Sequence, residues 1–159
     1  MKLGETSIVG GFGETLTALF IRKMAPPNVP VHCVGSSANY YDIEIPSPIP
    51  GLFDKPTLIS VKIRESILRS FKDVPPTRRS LRKGRELAAD LGYSFWIALI
   101  LYYLKENRLS FQVHLLDSDL IEESDFSSTR NQILFDKFIE KTMKNTATGK
   151  SMIFKSMEP

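Results

Sequence analysis

Prolines constrain the segment from residue 26 to residue 56 more than any other feature constrains the chain, because seven of the ten prolines lie there. A proline inside a helix removes a backbone donor and clashes with the preceding turn, so this segment cannot form a long helix. We predict an extended, proline-rich arm with one short strand over residues 40–45. The arm divides the chain into residues 1–56, an N-terminal helix and the arm, and residues 57–159, a globular α+β core domain.

Hydrophobic periodicity predicts the remaining elements. Strict alternation predicts strands in "PTLISVKIR" and in "RLSFQVHLL", since alternate residues of a strand point to opposite faces. A terminal strand is predicted in "SMIFKSM". Helical spacing predicts short helices over residues 14–24 and 67–74, and another that begins at Ser127 or Ser128 as its N-cap. The apolar face of that last helix consists of Ile133, Leu134, Phe138 and Ile139.

The predicted order of elements does not alternate as βαβ units would. It favours an α+β fold, with a small, mostly antiparallel sheet and helices packed on one face. The proline-rich extended arm precedes this core.

The segment "TRRSLRKGRELAADLGYSFWIALILYYLKEN", residues 77–107, joins a basic half to an apolar half. We predict one long helix from residue 80 to residue 107. Its apolar half, residues 91–104, is shorter than the roughly 20 residues that span a bilayer, and it lacks the polar face of a helix lying on a membrane surface. It is therefore predicted to be a central core helix, which leaves the basic half free to bind.

Positive charge is concentrated between residues 62 and 85. Nine basic residues there stand against Glu65 and Asp73, a local balance of +7 in a chain of net charge +3. The nine are Lys62, Arg64, Arg69, Lys72, Arg78, Arg79, Arg82, Lys83 and Arg85. They are interpreted either as a solvated loop or as a site for an extended polyanion, which is an anionic membrane surface or a nucleic acid.

A run of acids follows the strand predicted in "RLSFQVHLL". It consists of Asp117, Asp119, Glu122, Glu123 and Asp125. The run lacks the EF-hand pattern and its central glycine, so calcium is not expected. The two interpretations are a solvated loop and an electrostatic docking surface for a basic protein partner.

Catalytic and metal-binding patterns are weak in this sequence. "VGGFGET" departs from GxGxxG and lacks the GK[ST] of a phosphate loop, so Gly10, Gly11 and Gly13 are interpreted as a turn. Cys33 as a nucleophile with His114 as its base is one conceivable dyad, although His114 is expected on the exposed face of its strand. We predict no enzyme activity, no cofactor and no metal site.

The single cysteine excludes an intramolecular disulfide and fits a reducing compartment. The N-terminal residues have no continuous apolar core, because Glu5 and Glu14 interrupt them, and so they do not resemble a signal peptide. Neither an RNP1-like aromatic strand nor a GXXG loop points to an RNA-binding module. We expect a soluble or peripherally membrane-bound protein.

The C-terminal half carries an arrangement that resembles a known family. A strand ending in an acidic run, "FQVHLLDSDLIEESDF", is followed by the amphipathic helix "QILFDKFIEKTM" and by a polar turn and closing strand, "NTATGKSMIFKSM". With "VKIRESILRSF" and "APPNVP" upstream, this order resembles that of rhabdovirus matrix proteins, in particular the short ones of plant-infecting members. The family's PPxY motif is absent, because Asn28 and Val29 follow the two prolines.

The resemblance implies a non-enzymatic protein that self-associates, condenses the viral ribonucleoprotein and bridges it to the membrane and the glycoprotein tail. It implies a location in the virion and the host cytoplasm, peripheral to membranes. The proline-rich arm would dock on a neighbouring subunit, since a pre-stiffened segment loses little entropy on binding, or would fold back on its own domain. The residues assigned to self-association are Pro26, Pro27, Asn28, Val29 and Pro30.

Three hypotheses follow. The first is a viral matrix-type structural protein that self-associates and bridges nucleocapsid to membrane through its basic residues. The second is a small nucleic-acid-binding or viral accessory protein, whose basic residues 62–85 bind RNA and whose acidic run meets a protein partner. An enzyme built on Cys33 and His114 is a third and weaker reading.

Overall fold

The computed structural model describes residues 3–34, 40–65 and 73–156. In these residues the chain forms three helices, eight strands and two short 3-10 helices, Ser118–Leu120 and Glu123–Asp125. The helices are α1 (Leu3–Met24), α2 (Arg78–Leu91) and α3 (Phe135–Lys144), and the strands are β1 (His32–Cys33), β2 (Ile43–Ile45), β3 (Thr57–Glu65), β4 (Asp73–Thr77), β5 (Ser94–Lys105), β6 (Arg108–Asp117), β7 (Gln132–Leu134) and β8 (Ser151–Lys155).

Six strands form one sheet in the order β1-β2-β3-β5-β6-β8, and β4 pairs with β7 in a second, two-stranded sheet. All neighbours are antiparallel except β3 and β5, which run parallel. A parallel pair requires a crossover connection, and α2 lies in that connection. The mixed fold with a mostly antiparallel sheet is confirmed, as are the strands predicted in "PTLISVKIR", "RLSFQVHLL" and "SMIFKSM".

The long helix predicted over residues 80–107 is wrong. α2 ends at Leu91, because Gly92 adopts a left-handed conformation (φ 75°) and its N–H, with that of Tyr93, closes the helix end. The apolar residues that follow form β5, which is buried through most of its length. A strand covered on both faces is apolar at every position and shows no alternation, so its sequence resembles a buried helix.

Helices cover both faces of the main sheet, and the prediction of one covered face is wrong. Ala98 and Ile100 of β5 belong to a cluster with α1, whereas Ile97 and Leu99 belong to a cluster with α2 and α3. Successive residues of a strand point to opposite sides, so β5 is the centre of both clusters. No helix in the described part of the chain is long and apolar enough to cross a bilayer.

The described part of the proline-rich segment packs against the domain and does not stand away from it as an arm. β2 (Ile43–Ile45) confirms the second half of the short strand predicted over residues 40–45 and pairs with β3. Ile49 and Phe53 are buried, and the Phe53 ring meets Trp96 edge-on with centroids 5.0 Å apart. The predicted parts 1–56 and 57–159 therefore share one hydrophobic cluster.

The glycines at positions 10, 11 and 13 lie within α1, so their interpretation as a turn is wrong. Gly13 lets α1 approach the sheet closely, since a Cβ there would already touch Ile63 at 3.4 Å and Ile100 at 3.5 Å. The helix predicted over residues 14–24 is the second half of α1.

Two further helix predictions need correction. Of the helix predicted over residues 67–74, Ile67, Leu68 and Phe71 lie outside the described residues, and Val74 lies in β4. The helix predicted to begin at Ser127 or Ser128 begins at Phe135, after Ile133 and Leu134 have paired in β7. The Ser127 hydroxyl instead accepts from the N–H groups of residues 129 and 130, which closes a turn.

Candidate functional site

The first turns of α2 carry the densest group of cations. Thr77 caps the helix by accepting from Ser80 N (3.3 Å), and no acid stands in the first turn. Leu81, Gly84 and Ala88 face the core, so the cations lie on the other sides of the helix. A positively charged helix N-terminus is unfavourable for stability but attracts anions.

A pocket of about 410 Å³ opens between the start of α2 and the segment that follows β6. Its lining consists of Arg78, Arg79, Leu81, Arg82, Arg85, Glu123, Phe126 and Asn131. Four guanidinium groups and one carboxylate give this pocket a positive charge. We call it the arginine pocket.

Arg78 forms a wall of the arginine pocket. Its Nε lies 2.7 Å from Glu123 Oε1, an ion pair without the alignment of a good hydrogen bond. Its Nη1 donates to Asn131 Oδ1 at 2.6 Å, and the guanidinium lies 4.8 Å from the centroid of the Phe126 ring. These contacts fix the Arg78 side chain as part of the pocket wall.

Arg85 anchors α2 to the acidic run. Its Nη2 donates to the carbonyls of Ser118 and Ile121, the latter at 3.0 Å. Burial lowers the pKa of Arg85, while the charges of Asp119 and Asp117 act in the opposite direction. Bonds to buried carbonyls make this arginine structural.

Arg79, Arg82 and Lys83 remain turned to solvent. The Arg82 side chain is 67% exposed, and it lies 3.9 Å from Glu86, which also lies 3.7 Å from Lys83. Exposed pairs of this kind contribute about 0.3–0.5 kcal/mol, so they leave both cations available. Arg79 is exposed one turn before Arg82 and lines the same pocket.

The other basic candidates lie elsewhere. Lys62 and Arg64 are in β3, beside Leu99 and Leu101 of β5. Arg64 donates to the Ile63 carbonyl at 2.8 Å, and burial lowers its pKa. Arg69 and Lys72 lie outside the described residues. The nine cations of the sequence therefore do not form one uniform patch among the described residues.

Two members of the acidic run are buried, which corrects its interpretation as a solvated loop. Asp125 accepts from Glu122 N (2.7 Å) and pairs with Lys141 Nζ at 3.0 Å. Asp117 accepts from Asp119 N at 3.0 Å, and burial raises its pKa. These two aspartates hold the segment's own fold.

The remaining acids, Asp119, Glu122 and Glu123, are exposed. Glu123 is already engaged by Arg78, and Glu122 lies 3.9 Å from Lys141. The basic and acidic runs, which the sequence presents as separate sites, thus meet across the arginine pocket and partly neutralise each other.

The dyad of Cys33 and His114 is wrong. Cys33 is exposed on β1, while His114 is buried on β6. Strands β2, β3 and β5 separate them in the sheet, a distance of roughly 19 Å at about 4.8 Å per strand. His114 is also not on an exposed face, since its Nδ1 lies 3.3 Å from Thr142 Oγ1.

No group of three or more metal-ligating side chains occurs among residues 3–34, 40–65 and 73–156. The metal-free reading therefore stays a prediction for the whole chain.

The residues assigned to self-association form a turn at the end of α1. Val29 N donates to the Pro26 carbonyl at 3.0 Å, and Val29 is buried. The Arg22 guanidinium donates to the carbonyls of Ala25, Pro26 and Val29. Pro26, Pro27 and Asn28 remain exposed, and Pro30 is half-buried.

Sequence reasoning missed Phe126 and Asn131 as members of the arginine pocket. Asn131 has a positive φ of 59° and its carbonyl accepts from Arg78 N at 3.1 Å. Asparagine tolerates this left-handed conformation, so Asn131 itself was the local indication of a turn. Nothing local indicates that the turn would meet α2.

No family model matches the chain, and none of the curated proteins matches its sequence.

Proposed function

We propose that this protein is a non-enzymatic, viral matrix-type structural protein that self-associates and bridges a nucleocapsid to a membrane. The arginine pocket supports the nucleocapsid contact in this proposal, and the nucleocapsid RNA is the ligand that we assign to it. Its place would be the virion and the host cytoplasm, peripheral to membranes, and a glycoprotein tail is a further partner.

The chemistry of the pocket suits phosphate groups. Arginine binds phosphate through two parallel N–H bonds, and Arg79 and Arg82 present two such groups one turn apart at the pocket mouth. The helix N-terminus adds its partial positive charge. Arg78 and Arg85 are fixed by their own bonds, so they frame the two free guanidinium groups.

Binding of this kind is independent of base sequence, because phosphate contacts position a nucleic acid without reading it. It is also sensitive to salt, since each phosphate neutralised releases counterions. A protein that coats a ribonucleoprotein along its length needs both properties.

We expect the double variant Arg79→Gln, Arg82→Gln to bind a single-stranded RNA oligonucleotide about tenfold more weakly at physiological salt, with a log K against log salt slope reduced by about 1.4. The two residues supply two of the contacts, each of which contributes about 0.7 to the slope for a single strand. Fluorescence anisotropy over a salt series measures both quantities.

The matched control for RNA binding is Lys23→Gln, Lys137→Gln, which removes two exposed cations from α1 and α3. Equal loss in both variants would show that net charge alone governs binding, and the pocket would lose its role. Arg78 and Arg85 are left unchanged, because their removal would unfold the pocket as well as discharge it.

Self-association is assigned to the exposed turn of Pro26, Pro27 and Asn28. We expect Pro27→Asp to weaken concentration-dependent assembly about tenfold, because a charge at the centre of an interface must be desolvated. Sedimentation equilibrium measures the association constant of this assembly. Pro48→Asp places the same change on another exposed proline of the segment and should leave assembly intact; equal weakening of both variants would contradict the assignment.

The alternative is a small nucleic-acid-binding or viral accessory protein. The arginine pocket favours it as much as it favours the matrix reading, since both use RNA phosphates. A chain that binds RNA but stays monomeric at all concentrations, and does not bind vesicles, belongs to this second class. The exposed acids Asp119, Glu122 and Glu123 would then be its surface for a protein partner.

A further inference from the structure

The β5–β6 hairpin extends beyond the other strands of the sheet that the structure describes. Tyr102 is the last residue of β5 paired with β3, and Gln112 is the first of β6 paired with β8. Among the described residues, those from 103 to 110 pair only with each other. Glu106 and Asn107 form the turn, with φ values of 50° and 64°, the positive pair that a type I′ hairpin requires.

The projecting ribbon is amphipathic. Leu104 lies directly opposite Leu109, and they are 58% and 45% exposed. Lys105 lies directly opposite Arg108, on the other side of the ribbon because side chains alternate. About half of each leucine side chain stays in contact with water, and like charges directly opposite each other are destabilising. The exposed apolar surface and the opposed cations therefore do not stabilise this domain.

Other charges lie toward the same end of the molecule. β3 runs parallel to β5, with Arg64 beside Leu101, so Arg64 shares the end from which the ribbon projects. By alternation along β5, Arg64, Lys105 and Arg108 occupy one side of the sheet, and the leucine pair occupies the other. Tyr102 and Tyr103 stand at the base of the ribbon.

We propose that the tip of the β5–β6 hairpin, Leu104 with Leu109 and Lys105 with Arg108, is a docking element for an anionic lipid surface. The leucines enter the boundary between headgroups and acyl chains, and the two cations meet anionic headgroups. Tyrosines at the base suit the headgroup level. This inference rests on the membrane contact in the proposed function and assigns it to a segment that sequence reasoning did not identify.

A second copy of the chain fits the tip less well than a lipid surface does. A stable protein interface buries about 800 Å² on each partner, which is more than two pairs of side chains offer. The tip carries Lys105, Arg108 and the exposed Glu106, a net charge of +1, and an anionic surface relieves the repulsion between Lys105 and Arg108.

We expect the variant Leu104→Ser, Leu109→Ser to bind vesicles of phosphatidylcholine with phosphatidylserine at least about tenfold more weakly than the wild type. The matched control is Leu91→Ser, Met143→Ser, two exposed apolar residues in α2 and α3, which should bind as the wild type does. Lys105→Gln, Arg108→Gln should lose about fivefold per cation on these vesicles and nothing on pure phosphatidylcholine. Flotation of the full chain measures all of these.

A second measurement covers the case in which the serine variant fails to fold. Leu104→Trp adds one indole to a chain whose own tryptophan, Trp96, is buried. We expect brominated phosphatidylserine-containing vesicles to quench the added fluorescence. An unquenched indole on bound protein overturns the hairpin assignment.

Failure of the hairpin and failure of the proposed function give different results. If the wild type floats and the serine variant floats equally well, the hairpin inference is overturned and membrane bridging stands. If the wild type does not float at all, both membrane bridging and the hairpin inference are overturned. RNA binding at the arginine pocket is measured separately and is independent of both outcomes.

Discussion

Replacing Gly84 by alanine is expected to lower the free energy of unfolding by up to about 2 kcal/mol. Gly84 lies in α2 where the helix crosses the start of β5, and a Cβ there would lie 2.6 and 2.8 Å from two ring carbons of Phe95 and closer still to its Cζ. The Phe95 ring is buried and cannot move away freely. Overpacking of this kind costs about 1–3 kcal/mol, and alanine's better helix propensity offsets about 1 kcal/mol of it.

The control for Gly84 is in α1, where Gly10 and Gly11 have no heavy atom within 4 Å of an added Cβ. Gly10→Ala and Gly11→Ala should leave stability unchanged or raise it by up to about 1 kcal/mol. Denaturant unfolding monitored by far-UV circular dichroism compares the three variants. If Gly84→Ala behaves like Gly10→Ala, the close packing of α2 on β5 is wrong.

A second substitution tests the named contact itself. Phe95→Leu removes the ring that the new methyl group meets, so Gly84→Ala should cost less in a Phe95→Leu background than in the wild type. Such coupling is expected only between residues in contact. Additive costs would mean that the loss at Gly84 comes from somewhere other than Phe95.

The elements with one solvated face could be predicted from the sequence. β3 alternates in its second half, as β6 does through Leu109, Phe111 and Val113, and these strands fall where the pattern placed them. The sequence alternates between apolar and polar residues there because successive side chains point to opposite faces, one toward the core and one toward solvent. β5 could not be predicted in this way, because both of its faces are covered and the difference between faces disappears.

Gly92 was the available sign that α2 ends before the apolar residues begin. A glycine after a helix commonly adopts the left-handed conformation and terminates it, and Gly92 does so with φ 75°. The aromatic and β-branched residues from Phe95 to Tyr103 favour a strand as well. Together, the glycine and the strand-favouring residues indicate a strand at β5 more strongly than the length of the apolar run indicates a helix.

The arginine pocket was only partly visible in the sequence. Each cation could be identified, but not which would be free. Arg85 bonds to a residue 33 positions away and Arg78 to one 53 positions away. Those contacts depend on the whole path of the chain through β5 and β6. Local composition cannot distinguish an arginine held by bonds within the fold from an exposed one such as Arg82.

The two charged surfaces have a common physical basis in what the fold leaves unpaired. The buried carboxylates Asp117 and Asp125 already have partners on the protein, and so do Arg78 and Arg85. Arg82, at the arginine pocket, has only an exposed pair with Glu86, and Lys105 and Arg108, at the hairpin tip, lie opposite each other.

The fold should lose up to about 3 kcal/mol of stability as the pH falls from about 6.5 to about 4, through His114 alone. Burial, and to a lesser degree the charge of Lys155, lowers the pKa of His114 from 6.5 to about 4. Above the ordinary value the imidazole is neutral in both states and contributes nothing. Below it, the unfolded chain takes up a proton that the folded protein does not, so acid favours unfolding until the folded pKa is reached.

The surroundings of His114 explain why the neutral ring is held. Nδ1 of His114 lies 3.3 Å from Thr142 Oγ1, which donates to the Ile139 carbonyl at 2.8 Å. Nε2 lies 3.1 Å from Gln112 Oε1, and the neutral ring, with its single N–H, can donate to only one of these two neutral groups. No carboxylate is bonded to the ring in the described part of the chain, so no opposite charge there offsets the desolvation of an imidazolium.

His114→Gln removes the titration and keeps a group that can donate to Thr142. Near pH 7 the variant should be less stable than the wild type by about 1 kcal/mol, because its packing is imperfect. Since the wild type alone loses stability as His114 resists protonation, the order should reverse near pH 4, where the variant becomes the more stable by about 2 kcal/mol. Urea unfolding across this range measures the crossing.

His32→Gln removes the other imidazole, from the exposed strand β1, and should retain the wild-type pH dependence. Parallel curves for His114→Gln and the wild type would mean that the ring is protonated inside the fold and that its pocket is more polar than the burial of β6 indicates.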